Sequence, residues 1–495
     1  MNNENAGVLV TFVIYLGVLI FIGRLGERKH SKSYKDFVAA EKSLGSLVTA
    51  ISAAASSESV WVMLGLSGLG YWKGLAAFWA AVGCTAGFIF NALFVTVQLR
   101  RDSGRLEAVT VSDYIEARVG DTSGVVRLVS ALIITFFMVC YVVAQFTGAG
   151  DLFDGMGILG PHQPYAYLVG VIVGAVIIAL YIVLGGYAAV CWTDTVQGLL
   201  MFVVMLGLPV VAIVAAGGFS GIAEALGPAG LLAITPAEAG SWAAMGFIVG
   251  QLGIGIGYPG MPHMIIRYMT VKDERAAKQS AWIAVVWSIV VLFGSAALGL
   301  AARAIWPDLA PDQKEAEQLV IPTVCRSYLP SVLTGVVISA VTAAIMSTAD
   351  SQLMYASTSL INDLYLRRGK KKDIPPERLV KWTRGLLLLM TVVAMIFALA
   401  KIRLIYTFVL FAWGALGAAF SPIIVLSLYW KRLTRWGALA SLIVGPVTIV
   451  VWYNIPVLHA AIYEMIPAAF LSLVSAVVVS LLTWKGESSR VNPPK

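Results

Sequence analysis

Charge is scarce in this chain. Asp, Glu, Lys and Arg supply 13% of its 495 residues, against about 25% in a soluble domain. That deficit excludes the string of soluble domains that the length would otherwise suit, and no polar linker divides the sequence into such units. Cysteine is as sparse. Cys84, Cys140, Cys191 and Cys325 are scattered, three of them in apolar runs. With no CxxC or Cys/His pairing, neither a disulfide framework nor a structural metal site is expected, and the four read as small core residues. Of the four histidines, His30, His162 and His459 fall in or near loops, while His263 follows a glycine-rich run. The one enzyme-like motif, G-x-G-x-x-G at Gly255, Gly257 and Gly260, lacks the strand and βαβ context of a dinucleotide site. No catalytic constellation is found and no enzyme is expected. The net charge of +8 points to basic cytoplasmic loops rather than to a nucleic-acid surface.

What the chain has instead is apolar length, at 59% hydrophobic residues. A spanning helix needs about 20 mostly apolar residues. Thirteen runs qualify: 7–23, 44–70, 74–99, 128–150, 164–184, 190–216, 241–262, 280–302, 328–361, 385–400, 404–430, 436–456 and 465–484. The first is not read as a signal peptide, because Met1–Ala6 carries Glu4 and no basic residue. Basic residues favour cytoplasmic loops. With the N-terminus outside and the C-terminus cytoplasmic, the inner segments hold 29 of the 35 Lys and Arg. Only Lys73, Arg303, Lys314, Arg326, Lys401 and Arg403 stay outside. The expected fold is an all-α polytopic membrane protein with 13 transmembrane helices, one domain over 1–495. The 11 residues after Trp484 leave no room for a soluble catalytic or sensor domain.

Two spans read as broken helices. Ala50–Ser59 (AISAAASSES) is a run of small and hydroxylated residues, and Gly250–Pro262 (GQLGIGIGYPGMP) is rich in glycine with two prolines. Both compositions weaken a helix, and backbone groups freed at membrane depth are tolerated only against protein or a wet cavity. The two spans are second and seventh in order and so begin on opposite sides. That is the pattern of an inverted repeat with discontinuous helices.

Three acids lie inside apolar runs: Glu58, Asp194 and Asp350. Such carboxylates are costly and mark function by default. Asp194 lies near the cytoplasmic start of its span, where an interfacial charge would also suffice. Asp350 could be neutralised by a hydrogen-bond network, and Glu58 is mid-span with no Lys or Arg in its stretch. Ser347, Thr348 and Ser351 surround Asp350 in MSTADSQ. Their hydroxyls, with bare carbonyls, suit Na⁺, a hard cation that prefers oxygen as Ca²⁺ and Mg²⁺ do. A lone Ser/Thr pair usually back-bonds to its own helix.

At these residues the chain resembles the sodium:solute symporter family, near its bacterial sodium/proline members. The carrying segments are Ser52–Ser59 with Trp61, Gly185-Gly186 leading into Trp192-Thr193-Asp194-Thr195-Val196-Gln197, Gly257–His263 with Arg267, and Met346–Leu353. The resemblance covers roughly residues 7–455. It implies the leucine-transporter fold: an extra first helix (7–23), two inverted five-helix repeats (44–216 and 241–430) and two further helices (436–484). It implies a main Na⁺ site with backbone carbonyls of Ala55, Glu58 and Ala344 and side-chain oxygens of Ser347 and Thr348. A second cation site would involve Asp194, Asp350 and Ser351. Solute-facing positions would be Ser56, Ser57, Ser59, Tyr141, Ile254, Gly255 and Tyr258. The chain departs from the proline members twice: they carry aspartate at Ser57 and tryptophan at Ile254.

The function expected is Na⁺-coupled uptake of a small organic solute, an amino acid or small carboxylate, by alternating access across a bacterial inner membrane. Na⁺ is the coupling ion, with no covalent cofactor. The partners are the solute and the lipid bilayer, with no nucleic acid and no obligate protein partner. The rival readings are proton coupling through Glu58 and, further off, a membrane sensor or channel.

Overall fold

A computed structural model describes residues 3–30, 34–39, 43–156, 163, 165–184, 186–236, 240–366, 374–400 and 405–484. Gly185, His162, Lys401, Arg403, the basic stretch 367–373 and the tail 485–495 lie outside the described residues.

The described residues are mainly helical. α1 (Asn3–His30) and a short α2 (Tyr34–Ala39) precede α3 (Ser46–Ser57), α4 (Ser67–Lys73), α5 (Phe78–Phe90) and α6 (Thr96–Arg105). A short α7 (Val111–Val119) leads into α8 (Val125–Met156), α9 (Ala166–Leu184), α10 (Tyr187–Ala215) and α11 (Gly218–Leu226). Then follow α12 (Ser241–Gly253), α13 (Pro262–Thr270), α14 (Glu274–Ile305), α15 (Gln313–Tyr328) and α16 (Ser331–Ser359). The last are α17 (Pro376–Ala398), α18 (Ile405–Tyr429), α19 (Arg435–Asn454), α20 (Pro456–Ala461) and α21 (Met465–Thr483). Among the described residues, ten helical stretches are long and apolar enough to cross a membrane. The one β-bridge found joins Leu44 to Val271, and Lys272 N–H donates to the Leu44 carbonyl at 3.0 Å.

The apolar pattern is that of a bundle set in lipid. Large apolar side chains such as Phe136, Val203, Leu389 and Phe470 are exposed on the outer helices. The middle holds α3 and α16, almost wholly apolar or hydroxylated, with Asp350 and Gln352 of α16 the exceptions. α16 is buried from Val337 to Ser359 among α1, α8, α10 and α17. A helix hydrophobic all round belongs in such a position. Small residues set the close crossings. A Cβ on Gly299 of α14 would lie 1.9 Å from the Ser67 carbonyl of α4, so only glycine fits there.

Boundaries moved where sequence hydropathy could not see the backbone. The 328–361 run divides at Leu329-Pro330: α15 ends at Tyr328 and α16 starts at Ser331, as expected for a proline at a helix entrance. The run 7–23 is the middle of a 28-residue helix with polar ends. Ala50–Ser57 is helical after all. Ser56 and Ser57 donate to the Ala53 and Ala54 carbonyls, at 3.1 and 2.9 Å, so these hydroxyls stay within the helix they were expected to disrupt.

Candidate functional site

The first break is confined to Glu58 and Ser59. α3 stops at Ser57, Glu58 adopts φ −92°, ψ 76°, and the chain resumes as a π-type turn over Trp61–Leu66. Side chains satisfy the freed backbone groups. The Trp61 indole N–H donates to the Ser57 carbonyl at 3.2 Å, and the Gln145 amide oxygen on α8 accepts the Val60 N–H at 3.3 Å. Gln145 also donates to Ser59 Oγ at 3.1 Å, and Ser59 Oγ lies 3.3 Å from the Tyr141 hydroxyl.

The second break is longer. α12 gives way at Ile254–Gly260 to a 3₁₀ stretch, Met261 is extended, and Pro262 opens α13. Another indole caps it: Trp413 of α18 donates to the Ile254 carbonyl at 3.0 Å, and Ser421 Oγ donates to the Gly257 carbonyl at 3.1 Å. Its glycines admit neighbouring backbone. A Cβ on Gly255 would sit 2.1 Å from the Gly83 carbonyl of α5.

The two breaks meet. The Tyr258 hydroxyl donates to Glu58 Oε1 across 200 residues of sequence. Tyr258 is wedged between Phe88 of α5 and Trp413, with ring centroids at 4.5 and 4.8 Å. The seven positions expected to face solute therefore cluster, with Ser56, Ser57, Ser59, Tyr141, Ile254, Gly255 and Tyr258 all buried around the breaks. Ser56 and Ser57 direct their hydroxyls into α3 rather than across the gap. A groove of about 310 Å³ approaches from the end of the bundle where α12 begins, lined by Gln251, Tyr406, Tyr463 and Glu464. Tyr406 at its floor donates to Gln251 Oε1 at 2.5 Å and packs on Trp61 with centroids 5.8 Å apart.

Beside the first break lies a cluster of oxygens. Ser347 Oγ on α16 is 3.0 Å from the Ala55 carbonyl and 3.4 Å from the Ala344 carbonyl. Thr348 Oγ1, wholly buried next to it, has no hydrogen-bond partner. Neutral oxygens gathered in a dry place, one of them unsatisfied, suit a hard monovalent cation.

Asp194, expected at a second cation site or as an interfacial charge, is fully buried and paired with a guanidinium. Arg267 of α13 meets it at 2.8 Å and also binds Ser52 Oγ at 2.6 Å, Ser351 Oγ at 2.5 Å and the His263 carbonyl. Ser52 donates to Asp194 as well, at 2.7 Å. One guanidinium thus ties α3, α10, α13 and α16 together. Asp350, one residue from Ser351, is equally buried, and neither of its oxygens has a hydrogen-bond partner. Gln145, Trp413, Ser421 and the Arg267 pairing escaped the sequence reading, because each acts across tens to hundreds of residues.

Spanning helices packed around two broken ones, with an oxygen cluster beside one break, define a secondary transporter whose site lies between discontinuous helices. Residues 37–445 match the sodium:solute symporter family, and the chain belongs to it. The high-affinity proline transporter PutP of Bacillus subtilis (strain 168) is 34% identical over 459 residues, 92% of this chain and 94% of that protein. The sodium/proline symporter of Escherichia coli (strain K12) is 32% identical over 482 residues, 96% of this chain and 93% of that one. Such relatives are transporters, in keeping with the absence of any enzyme motif. Among solved structures, a Na⁺-coupled sialic acid symporter in a substrate-bound outward-open state superposes with a TM-score of 0.79 at 16% identity, covering 96% of this chain and 97% of that one. Mhp1 in a closed conformation, a nucleobase-cation-symport-1 family transporter, gives 0.51 at 13% identity over 91% and 95%. These two show the shared leucine-transporter-like fold.

Proposed function

We propose that the chain takes up a small amino-acid solute by Na⁺ symport, with proline the first candidate because the proline transporters are its relatives. The carrying observation is the contact of Ser347 Oγ with the Ala55 carbonyl, 3.0 Å across α3 and α16, with Thr348 Oγ1 left unpartnered beside it. Na⁺ bound by Ala55, Glu58 and Ala344 carbonyls with Ser347 and Thr348 would fasten α3 to α16 and favour the outward-open form. Solute would then settle between the breaks. A second cation at Asp194, Asp350 and Ser351 would have to displace Arg267, which binds both Asp194 and Ser351. The test is uptake of labelled amino acids and small carboxylates into proteoliposomes, under a Na⁺ gradient or a pH gradient. Uptake driven by Na⁺ is expected. Uptake driven by pH alone would move the coupling to Glu58, the second reading, which the absence of any described cation against Glu58 favours.

We assign thirteen crossings to these helices. The continuous stretch Trp61–Arg105 of 45 residues would be about 68 Å long at 1.5 Å per residue, twice a bilayer core. It turns at Gly74, whose φ is +59°, and so makes the outer part of one crossing and the whole of the next. α3 with α4, and α12 with α13, each make one broken crossing, and α9 adds another. The first repeat then spans 44–216, the second 241–430, and α19 and α21 complete the bundle. The N-terminus is outside. α14 checks this orientation: a cysteine at Gln279 is expected to react only from the cytoplasm and one at Asp308 only from outside, and reversed labelling would invert the assignment.

A further inference from the structure

We infer that the Glu58 side chain is the counter-ion for a protonated nitrogen on the solute, so that the site selects ammonium-bearing acids over acids that lack the amine. This rests on the transport reading above and narrows it to a substrate class. Three observations lead to it.

The first is direction. The Ala55 carbonyl, three residues earlier, faces Ser347 on α16, on the side of the Na⁺ cluster. The Glu58 carboxylate is held by Tyr258 of the second break, beside Cys84 and Phe88 of α5. The Glu58 side chain is therefore directed to the second break and not to the Ser347 cluster. The second is incomplete satisfaction. Glu58 is wholly buried, Oε1 accepts from Tyr258, and Oε2 has no partner. A buried carboxylate needs a counter-charge or further donors. Arg267, the cation of the nearby network, is already committed to Asp194, Ser52 and Ser351. The third is the wall. Phe88, Tyr258 and Trp413 form an aromatic surface at Glu58 with centroids 4.5 and 4.8 Å apart. A cation beside a carboxylate and over aromatic faces is doubly stabilised. An ammonium N–H directed at Oε2 would complete the acceptor that the protein leaves open, and Tyr258 would fix the carboxylate for it.

The test is equilibrium binding to purified protein over a series of NaCl concentrations, with NaCl absent as the lowest. The probes are L-proline, cyclopentanecarboxylate (the same ring with carbon in place of nitrogen), N-acetyl-L-proline, and alanine and leucine with their amine-free counterparts, propionate and 4-methylpentanoate. Wild type is expected to prefer amine-bearing members. Glu58→Gln is expected to lose at least about 30-fold of that preference, the usual cost of leaving a buried interfacial charge unpaired, while its affinity for amine-free acids holds or rises. Tyr258→Phe, which keeps the ring and the carboxylate, is expected to lose part of the preference. It reports on the same pair if Glu58→Gln cannot be purified. Equal losses for both solute classes in either variant would overturn the inference, as would a wild type that favours amine-free acids or binds none of the set. A Glu58→Gln protein changed only in its Na⁺ requirement would also overturn it, by assigning the side chain to the ion. Failure of the transport reading looks different, since wild-type binding would then be indifferent to Na⁺.

Discussion

Asp194 and Glu58 are both wholly buried acids on helices at the centre of the bundle, and the protein treats them differently. Asp194 receives a guanidinium and two hydroxyls from three other helices. Glu58 receives one tyrosine hydroxyl and has an oxygen to spare. Asp194 Oδ1, like Glu58 Oε2, has no partner, so what separates the two acids is the counter-charge, and a paired charge fixes the arrangement of the elements that supply it. An acid with no counter-charge leaves capacity for a cation that arrives. The Arg267 cluster holds four helices in register, while the region of Glu58 is left for its charge to be met from outside. Neither role follows from residue type, since both are acids in apolar runs.

The largest effect is expected from removing one member of the charge-paired network. Arg267→Met would leave Asp194 buried without its counter-charge and is expected to cost about 3–5 kcal/mol of stability, read by thermal unfolding in detergent. Arg267→Met with Asp194→Leu is expected to recover most of that loss, because replacing both partners by apolar groups removes the penalty. A single mutant as stable as wild type would end the contrast, for Asp194 would then be no better held than Glu58.

Next comes the ion cluster, whose oxygens are neutral and whose loss leaves no stranded charge. Ser347→Ala with Thr348→Ala is expected to raise the Na⁺ concentration needed for half-maximal uptake, each oxygen contributing about 1–3 kcal/mol, roughly 5- to 150-fold. Stability without Na⁺ should change little. Unaltered Na⁺ dependence in a well-folded double mutant would remove this cluster from the transport cycle.

These effects also mark how far the sequence could be read. Spans, breaks and the oxygen-bearing residues were legible, because hydropathy, proline and glycine act locally. The meeting of Ala55 with Ser347 was implied by the family resemblance, and the structure places them 3.0 Å apart. The partners of the acids were not legible. Tyr258 lies 200 residues from Glu58 and Arg267 lies 73 from Asp194, and only the rotation of packed helices decides which polar groups meet. Glu58, in a stretch without basic residues, invited a search for a distant cation, and the structure supplies a phenol. The small-residue run Ala50–Ser57 misled for a local reason, since serine can satisfy itself on its own helix as readily as interrupt it.

A third buried acid gives the smallest effect and the sharpest control. Asp121, outside the spans just before α8, is met only at long range by a guanidinium, that of half-exposed Arg435 at 3.9 Å. Its donors are the Ser123 N–H and hydroxyl at 3.0 and 2.5 Å and the Val126 N–H at 2.9 Å. Burial pushes this carboxyl up, but the Ser123 and Val126 donors outweigh it and hold the acid below its ordinary range. A depressed carboxyl stabilises the fold above its unfolded value, about 3.9 for aspartate, and loses that contribution as pH falls through the folded value. Asp121→Ala is expected to cost about 0.5–2 kcal/mol at neutral pH, as loss of a helix cap does. The difference from wild type should hold down to about pH 5 and shrink towards pH 3. A difference that instead grew with acid would mean that burial governs Asp121 and its donors do not. Backbone donors would then be unable to satisfy a buried carboxylate in this protein, and the missing counter-charge of Glu58 would no longer distinguish it from an acid that is merely structural.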